Sequence, residues 1–198
     1  MAHSDADAIQ AVLNGDVDRY AELVDRYHAQ ALRVAFAFLG DYEEAKDASQ
    51  EAFVSAYQSL DRFRGRAQFS TWLYRIIVNK CKDAYRRRAR QPAAVVGVGE
   101  PARDADEDRS LFVDVEDPTA SPSDQLAHRE LSHRLSEAIG DLPMQQRTAF
   151  TLHHLQGLSL DAVAEVMGCR LGSVKSHIFR ATQRLRAALS PYLTQEGC

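Results

Sequence analysis

Residues 157–184 read GLSLDAVAEVMGCRLGSVKSHIFRATQR. Ser159 stands where a helix N-cap belongs, and Val163, Ala164 and Met167 follow at helical spacing. Gly168 turns the chain. A second helix is expected from about Gly172 to Leu189, with Val174, Ile178, Ala181, Leu185 and Ala188 on its inner face. Two short helices joined by a tight glycine turn make a helix-turn-helix candidate, and its second helix would lie in the major groove of DNA. The outward residues suit a DNA-facing surface. They are Ser173, Ser176, His177, Arg180 and Arg184, with Arg170 and Lys175 alongside. Hydroxyls approach base edges or phosphates closely, while Lys and Arg neutralise phosphates and can read guanine. From Arg170 to beyond the helix end there is no acidic residue. A basic, solvated helix in a plain bundle is the competing reading.

Upstream of this pair the helical pattern continues. Leu126, Leu131, Leu135 and Ile139 form one stripe, Asp141 and Pro143 open the next helix, and Gly157 closes it. Farther upstream the pattern stops. Residues 91–124 hold Pro92, Gly97, Gly99, Pro101, Pro118 and Pro122. Glu100, Asp104, Asp106, Glu107, Asp108, Asp114, Glu116, Asp117 and Asp124 face only Arg103 and Arg109. Such a composition buries too little to order itself, so it reads as an acidic linker.

Before the linker the helical period returns. Val17, Tyr20, Val24, Tyr27, Ala31, Val34, Ala35 and Phe38 recur at helical spacing, and Gly40 is a stop. Asp41 and Glu44 are spaced as a capping box, opening a helix that buries Ala45, Ala48, Phe53, Ala56 or Tyr57, and Leu60. Ser70 is the expected cap of a longer helix with Trp72, Leu73, Ile76, Ile77, Cys81, Ala84 and Tyr85 on one face. No strand-type alternation is sustained. The fold class expected is therefore all-α: two small helical domains, 1–90 and 125–198, joined by a flexible acidic linker, 91–124.

The net charge of −4 speaks against a nucleic-acid binder, but the average hides how charge is sorted. Between Arg62 and Arg90 stand Arg64, Arg66, Arg75, Lys80, Lys82, Arg86, Arg87 and Arg88, with Asp83 as the only acid. Phe63, Phe69, Trp72, Tyr74 and Tyr85 are interleaved. Basic residues track a nucleic-acid backbone while aromatics stack on unpaired bases, and the 62–68 loop could hold a base taken out of a duplex. Core packing is the favoured reading for Trp72 and Tyr85; Phe63 and Phe69 flank the loop and are expected to be more open.

Other classes find less support. Cys81, Cys169 and Cys198 are far apart and odd in number, so they read as incidental thiols rather than a disulfide or metal set. No apolar stretch approaches the ~20 residues that span a bilayer. Met1–Gln10 lacks the apolar core of a secretory signal, and a cytoplasmic location is expected. His153 and His154 are adjacent on a helix and do not face each other. No phosphate loop or nucleophile motif occurs, and no catalytic residue, metal or cofactor is expected.

The motifs resemble one family. Asp47-Ala48-Ser49-Gln50-Glu51-Ala52-Phe53 is similar to the polymerase-binding motif in region 2 of sigma factors. Phe69-Ser70-Thr71-Trp72-Leu73-Tyr74-Arg75-Ile76, with Asn79-Lys80 and Asp83, Arg86 and Arg87, resembles the promoter-melting and −10-reading part of that region. Leu142-Pro143, Gly157-Leu158-Ser159 and Gly172-Ser173-Val174-Lys175-Ser176 resemble region 4, the −35 reader. Regions 2 and 4 in this order, without a third domain between them, look like the extracytoplasmic-function (ECF) group.

The resemblance implies a protein that binds core RNA polymerase and directs it to promoter DNA, usually held in check by a cognate anti-sigma protein. By position, Asp47, Gln50, Glu51 and Phe53 would serve polymerase binding. Phe63, Arg64 and Asn79 would hold an extruded −10 base, with Lys80, Arg86 and Arg87 on the DNA nearby. Arg170, Ser173, Lys175, Ser176, His177 and Arg180 would read or grip the −35 element. Two positions depart from the family pattern: His177 stands where Arg is frequent, and Asp161-Ala162 where Glu is common after the Ser159 cap. A neutral His grips phosphate less well than Arg, which would make −35 binding weaker or pH-sensitive.

The linker of about 34 residues reaches at most roughly 110 Å when extended and averages roughly 32 Å as a coil. Its acids suit a path through a channel that normally holds RNA; a solubilising spacer is the other reading. A regulator that binds duplex DNA alone, an enzyme, and a protein-binding helical adaptor are the competing functions. The motif at 47–53 argues against the first, the missing catalytic motifs against the second, and two basic surfaces against the third.

Overall fold

The computed structural model describes the backbone of residues 4–90 and 122–193, and every regular element among them is helical. Most of the expected acidic tether, 91–121, and Cys198 lie outside the described residues. The tether's expected last residues belong to a helix instead: Pro122 is the first residue of that helix, where its missing N–H costs nothing.

The first region contains α1 (Asp5–Leu13), α2 (Arg19–Leu39), α3 (Tyr42–Gln58) and α4 (Phe69–Arg90), with a single 3₁₀ turn at Leu60–Arg62. Helix α1 was hidden from the periodicity reading by its acids. It starts on a full capping box: the Ser4 hydroxyl accepts from the Asp7 N–H at 3.2 Å, and the Ser4 N–H donates to the Asp7 carboxylate at 3.1 Å. Ala8, Ile9 and Val12 bury its inner face. Asp5 then pins it to α2, taking the Tyr27 hydroxyl at 2.6 Å and pairing with Arg26. Val17, expected on the first apolar stripe, is exposed, and α2 begins after it.

Helix α2 ends at Gly40, whose φ of +74° is the left-handed region that glycine occupies without strain. Asp41 caps α3 by accepting from the Glu44 N–H at 2.9 Å. Ala45, Ala48, Ala52 and Ala56 give α3 a buried stripe of small side chains, which lets it lie close against α2 and α4. Helix α4 starts at Phe69, so Ser70 is inside it rather than its cap. Its buried residues are Phe69, Leu73, Tyr74, Ile77, Val78 and Cys81. Tyr85, expected on the core face, is 45% exposed.

The second region contains α5 (Pro122–Gly140), α6 (Met144–Phe150), a π turn at Thr151–Leu155, α7 (Leu160–Met167) and α8 (Leu171–Leu193). Ser159 caps α7, accepting from the Ala162 N–H at 3.2 Å, so this helix starts properly without a Glu after the cap. Gly168, at φ +66°, makes the left-handed turn into α8. Val174, Ala181 and Leu185 bury the inner face of α8, whereas Ala188 is exposed.

The two regions pack on each other. One apolar cluster runs from Leu23, Leu73 and Ile77 through to Leu152, Val163, Val166 and Met167. A second joins Ala37 of α2 to Ile139, Leu142, Ala181 and Leu185. Arg147 of α6 is largely buried at this seam. Its Nε donates to the Ala37 carbonyl at 2.7 Å and its Nη1 to the Gly140 carbonyl at 2.6 Å. Both carbonyls lie in the last turn of a helix, where they have no partner in their own helix and favour a cation. Burial pulls the Arg147 pKa down from its usual value, with Asp141 opposing.

Candidate nucleic-acid and polymerase interfaces

Three surfaces carry the residues that the sequence singles out. The first is a shallow groove lined by Asp47, Gln50, Glu51, Val54, Ser55, Gln58 and Lys80. Helical spacing puts Asp47, Gln50, Glu51 and Val54 on one side of α3. Phe53 is not among them: it points into the core, and its carbonyl accepts the Tyr20 hydroxyl at 2.7 Å. Val54, which sequence reasoning passed over, is the large apolar residue exposed there. Its signal was an apolar residue off the core stripe. Glu51 lies 3.8 Å from Lys80 and 3.9 Å from Arg87, contacts too long and too exposed to add much stability. Lys80, expected near the −10 base, therefore belongs to the groove.

The second surface is a hollow of about 170 Å³ lined by Arg62, Phe63, Arg64, Arg66, Ala67, Thr71, Trp72, Arg75 and Glu165. Ordinary ligand pockets start at roughly 300 Å³, so this one suits a single flat group. The Phe63 ring stands 5.2 Å from Trp72 and 5.8 Å from Phe69, and Phe69 is 5.7 Å from Trp72. Phe69, expected to be open, is the buried floor of this cluster; Phe63 is half-buried and forms part of the wall. Arg62, Arg64 and Arg66 are exposed around it. Asn79 is exposed two turns along α4 from Trp72 and does not line the hollow. Arg86 and Arg87 are exposed at the far end of α4, with Arg86 3.3 Å from Asp83.

The third surface is the outer side of α8. Ser173, Lys175, Ser176 and Arg180 are exposed, Arg170 is exposed at the turn, and His177 is half-buried. Among the described residues, Arg170, Lys175, Arg180 and Arg184 form no ion pair. Phe179, missed in the sequence reading, is 64% exposed in the middle of this polar face. An aromatic ring placed so can touch a thymine methyl group. Its signal was its place one residue past the inner-face Ile178, which turns it outward.

Among the described residues, the remaining titratable groups with a shifted pKa offer no site. Burial pushes the Cys81 thiol up to about 12, where it is inert at neutral pH. His153 meets the Leu158 carbonyl at 2.7 Å, and His154 is held below its usual pKa by partial burial and by His153. Among the described residues no cluster of His, Cys, Asp or Glu could hold a metal ion, and no helix is long and apolar enough to cross a membrane.

Known proteins resemble this chain along most of its length. Residues 23–91 match Sigma-70 region 2, and residues 132–185 match Sigma-70 region 4. The RNA polymerase sigma-H factor of Pseudomonas aeruginosa is 37% identical over 96% of both chains. The ECF RNA polymerase sigma-E factor of Haemophilus influenzae is 33% identical, covering 96% of this chain and 97% of that one. Among solved structures, CnrH in complex with the cytosolic domain of CnrY aligns with a TM-score of 0.59 and 26% identity, over 94% of this chain and 99% of that one. The sigma factor RpoE of Bartonella quintana, in complex with the anti-sigma factor NepR, shares the fold at a TM-score of 0.63 and 24% identity, over 88% of this chain and 97% of that one. The chain belongs to the ECF group of the sigma-70 family, the sigma factors that bind core RNA polymerase and direct promoter-specific initiation of transcription.

Proposed function

We propose that the three surfaces divide the work of initiation. The α3 groove, with Asp47, Gln50, Glu51 and Val54, docks on core polymerase. The aromatic hollow takes one flipped base of the −10 element: Phe63 and Trp72 stack on it, and Arg62, Arg64 and Arg66 hold the flanking phosphates. Arg86 and Arg87 neutralise the backbone nearby, and Asn79 lies along the same helix within reach of the strand. Helix α8 enters the major groove at the −35 element with Arg170, Ser173, Lys175, Ser176, His177, Phe179 and Arg180. With α5 beginning at Pro122, the domain limits become 1–90 and 122–198, and the protein works in the cytoplasm, where polymerase is. No catalytic residue is assigned.

The observation that carries this reading is the hollow itself, a pocket of single-base size with aromatic walls and an arginine rim. Stacking with a basic rim is how unpaired bases are gripped. The test is run-off transcription by purified core polymerase on a random promoter library. Selected templates sharing two sequence elements support the reading; no selection over core alone defeats it. The solved relative bound to the anti-sigma factor NepR supports the reading that an anti-sigma protein restrains this chain.

One prediction concerns salt. Lys175 is exposed and free of ion pairs among the described residues, so it has a whole charge to offer a phosphate. Lys175→Ala should weaken −35 binding about equally on all sequences and reduce the slope of log K against log salt by roughly 0.9. Fluorescence anisotropy from low to moderate salt measures it, and an unaltered slope shows that Lys175 touches no phosphate.

A further inference from the structure

The hollow has a wall that the promoter reading leaves unused. Glu165, on the outer side of α7, is the one lining residue that comes from the second region. Lys82 of α4 donates to the Met167 carbonyl at 2.9 Å, and the Tyr74 hydroxyl donates to the Gln156 side chain at 3.1 Å. These bonds cross the seam and hold α7 against α4, which sets Glu165 at the hollow. Its Oε1 accepts from Arg75 at 3.1 Å. Both side chains are more than half exposed, so the pair contributes little and yields readily to a guest. The same carboxylate still has lone pairs to offer.

The other lining groups set the shape and charge of that guest. Arg62, Arg64 and Arg66 are exposed and form no ion pair among the described residues. With Arg75 they outnumber the single carboxylate, so the hollow favours an anion. A bare phosphate fits poorly, since it would sit beside Glu165 and leave the rings unused. The guest needs a flat body for Phe63 and Trp72, an anionic end for the arginines and hydrogen-bond donors for Glu165. A nucleotide has all three. Among the common bases, guanine alone carries two adjacent N–H donors on one edge, N1–H and N2–H, which meet a carboxylate in the fork that a guanidinium uses. Adenine and cytosine set an amino group beside an acceptor, and uracil has a single N–H between two carbonyls. A carboxylate meets a repulsive neighbour in each of these.

We propose that this hollow binds a free guanine nucleotide, with the base stacked on Phe63 and Trp72, its N1–H and N2–H on Glu165, and its phosphates on Arg62, Arg64 and Arg66. This rests on the reading of the hollow as a single-base pocket and adds a second occupant to it. The nucleotide and the −10 base compete for the same rings. Three arginines without ion pairs suit a ligand with two or more phosphates.

The test uses the full-length free chain and its own reporter, since Trp72 is the sole tryptophan. GDP, ADP, CDP and UDP are titrated in turn against its fluorescence, with calorimetry as the second readout. GDP should bind about tenfold tighter than the other three, within the range of one bidentate base contact. Glu165→Gln, at an exposed position that does not threaten folding, should weaken GDP binding about tenfold and leave ADP unchanged. Arg64→Ala should weaken all of them alike and flatten their salt dependence. No binding of GDP at about 1 mM overturns the proposal. So does equal affinity for all the nucleotides, or a GDP affinity that Glu165→Gln leaves intact. Phe63→Ala in the polymerase assembly separates this site from the −10 reading. If it slows promoter opening while GDP fails to bind the wild-type free chain, the nucleotide site falls and the −10 pocket stands. If GDP binds as expected while Phe63→Ala leaves opening unchanged, the −10 reading falls and the nucleotide site stands.

Discussion

Polymerase carrying the Phe63→Ala chain should still bind its promoter but open it roughly 10- to 100-fold more slowly, the equivalent of one lost base–aromatic stack. The expectation follows from where the ring stands. Phe63 leans on Trp72 and Phe69 at 5.2 and 5.8 Å, yet remains half-buried, so one side of the ring is left for a guest. Truncation removes that wall and leaves Trp72 as the only other ring lining the hollow. In the proposed division of work, duplex binding at the −35 element falls to Arg170 and α8, away from Phe63, and should not move. Permanganate footprinting of unpaired thymines measures opening, and gel-shift assays measure promoter binding. Equal losses in both would mean that Phe63 supports the fold rather than the strand.

The second large effect is structural. Leu73 is fully buried on α4 within the shared apolar cluster. Leu73→Ala should cost about 3 kcal/mol, within the 2–5 kcal/mol typical of such cavities. A domain of this size has only about 5–15 kcal/mol in total, so the loss is a large share. Urea unfolding should show a lower midpoint, and a loss below about 1 kcal/mol would show that α4 is not anchored at this residue. The effect reaches function because Thr71, Trp72 and Arg75 flank Leu73 on the same helix. A loosened α4 loosens one wall of the hollow. Promoter opening should therefore fall with stability, whereas Phe63→Ala lowers opening with a much smaller stability loss.

What the sequence reveals of the structure divides along a physical line. Local devices were readable. Asp41 and Ser159 cap the helices they precede, and Gly40 and Gly168 take the left-handed turns that their positions demanded. Such features depend on a few neighbouring residues. The basic loop at 62–66 and the outward face of α8 were legible for the same reason.

What depended on distant partners was not legible. A helical stripe says that a face is covered, not what covers it. Ala37 gave no hint that its cover is Leu142, Ala181 and Leu185, more than a hundred residues away. Phe53 belongs both to a recognition motif and to the buried stripe of α3, and the stripe decides: its ring points inward. Tyr85 fits the apolar period, yet its ring stays half outside, with Arg88 5.8 Å away over it. Lys80 is expected on the DNA by its place in the −10 motif; its side chain lines the groove beside Glu51, which the motif alone does not reveal.

The described cysteines make the protein its own reporter. Cys81 is sealed in the core with its thiol held near 12, so a maleimide can reach it only when the fold comes apart. Cys169 is half-exposed; partial burial raises its thiol pKa, with Lys82, the cation that crosses the seam, opposing. Separating the regions uncovers Cys169 and withdraws Lys82 together, while Cys81 stays dark. A single labelling time course, read by mass spectrometry, should thus resolve two clocks. One times the parting of the regions and the other times global unfolding, with no dye or tag engineered in.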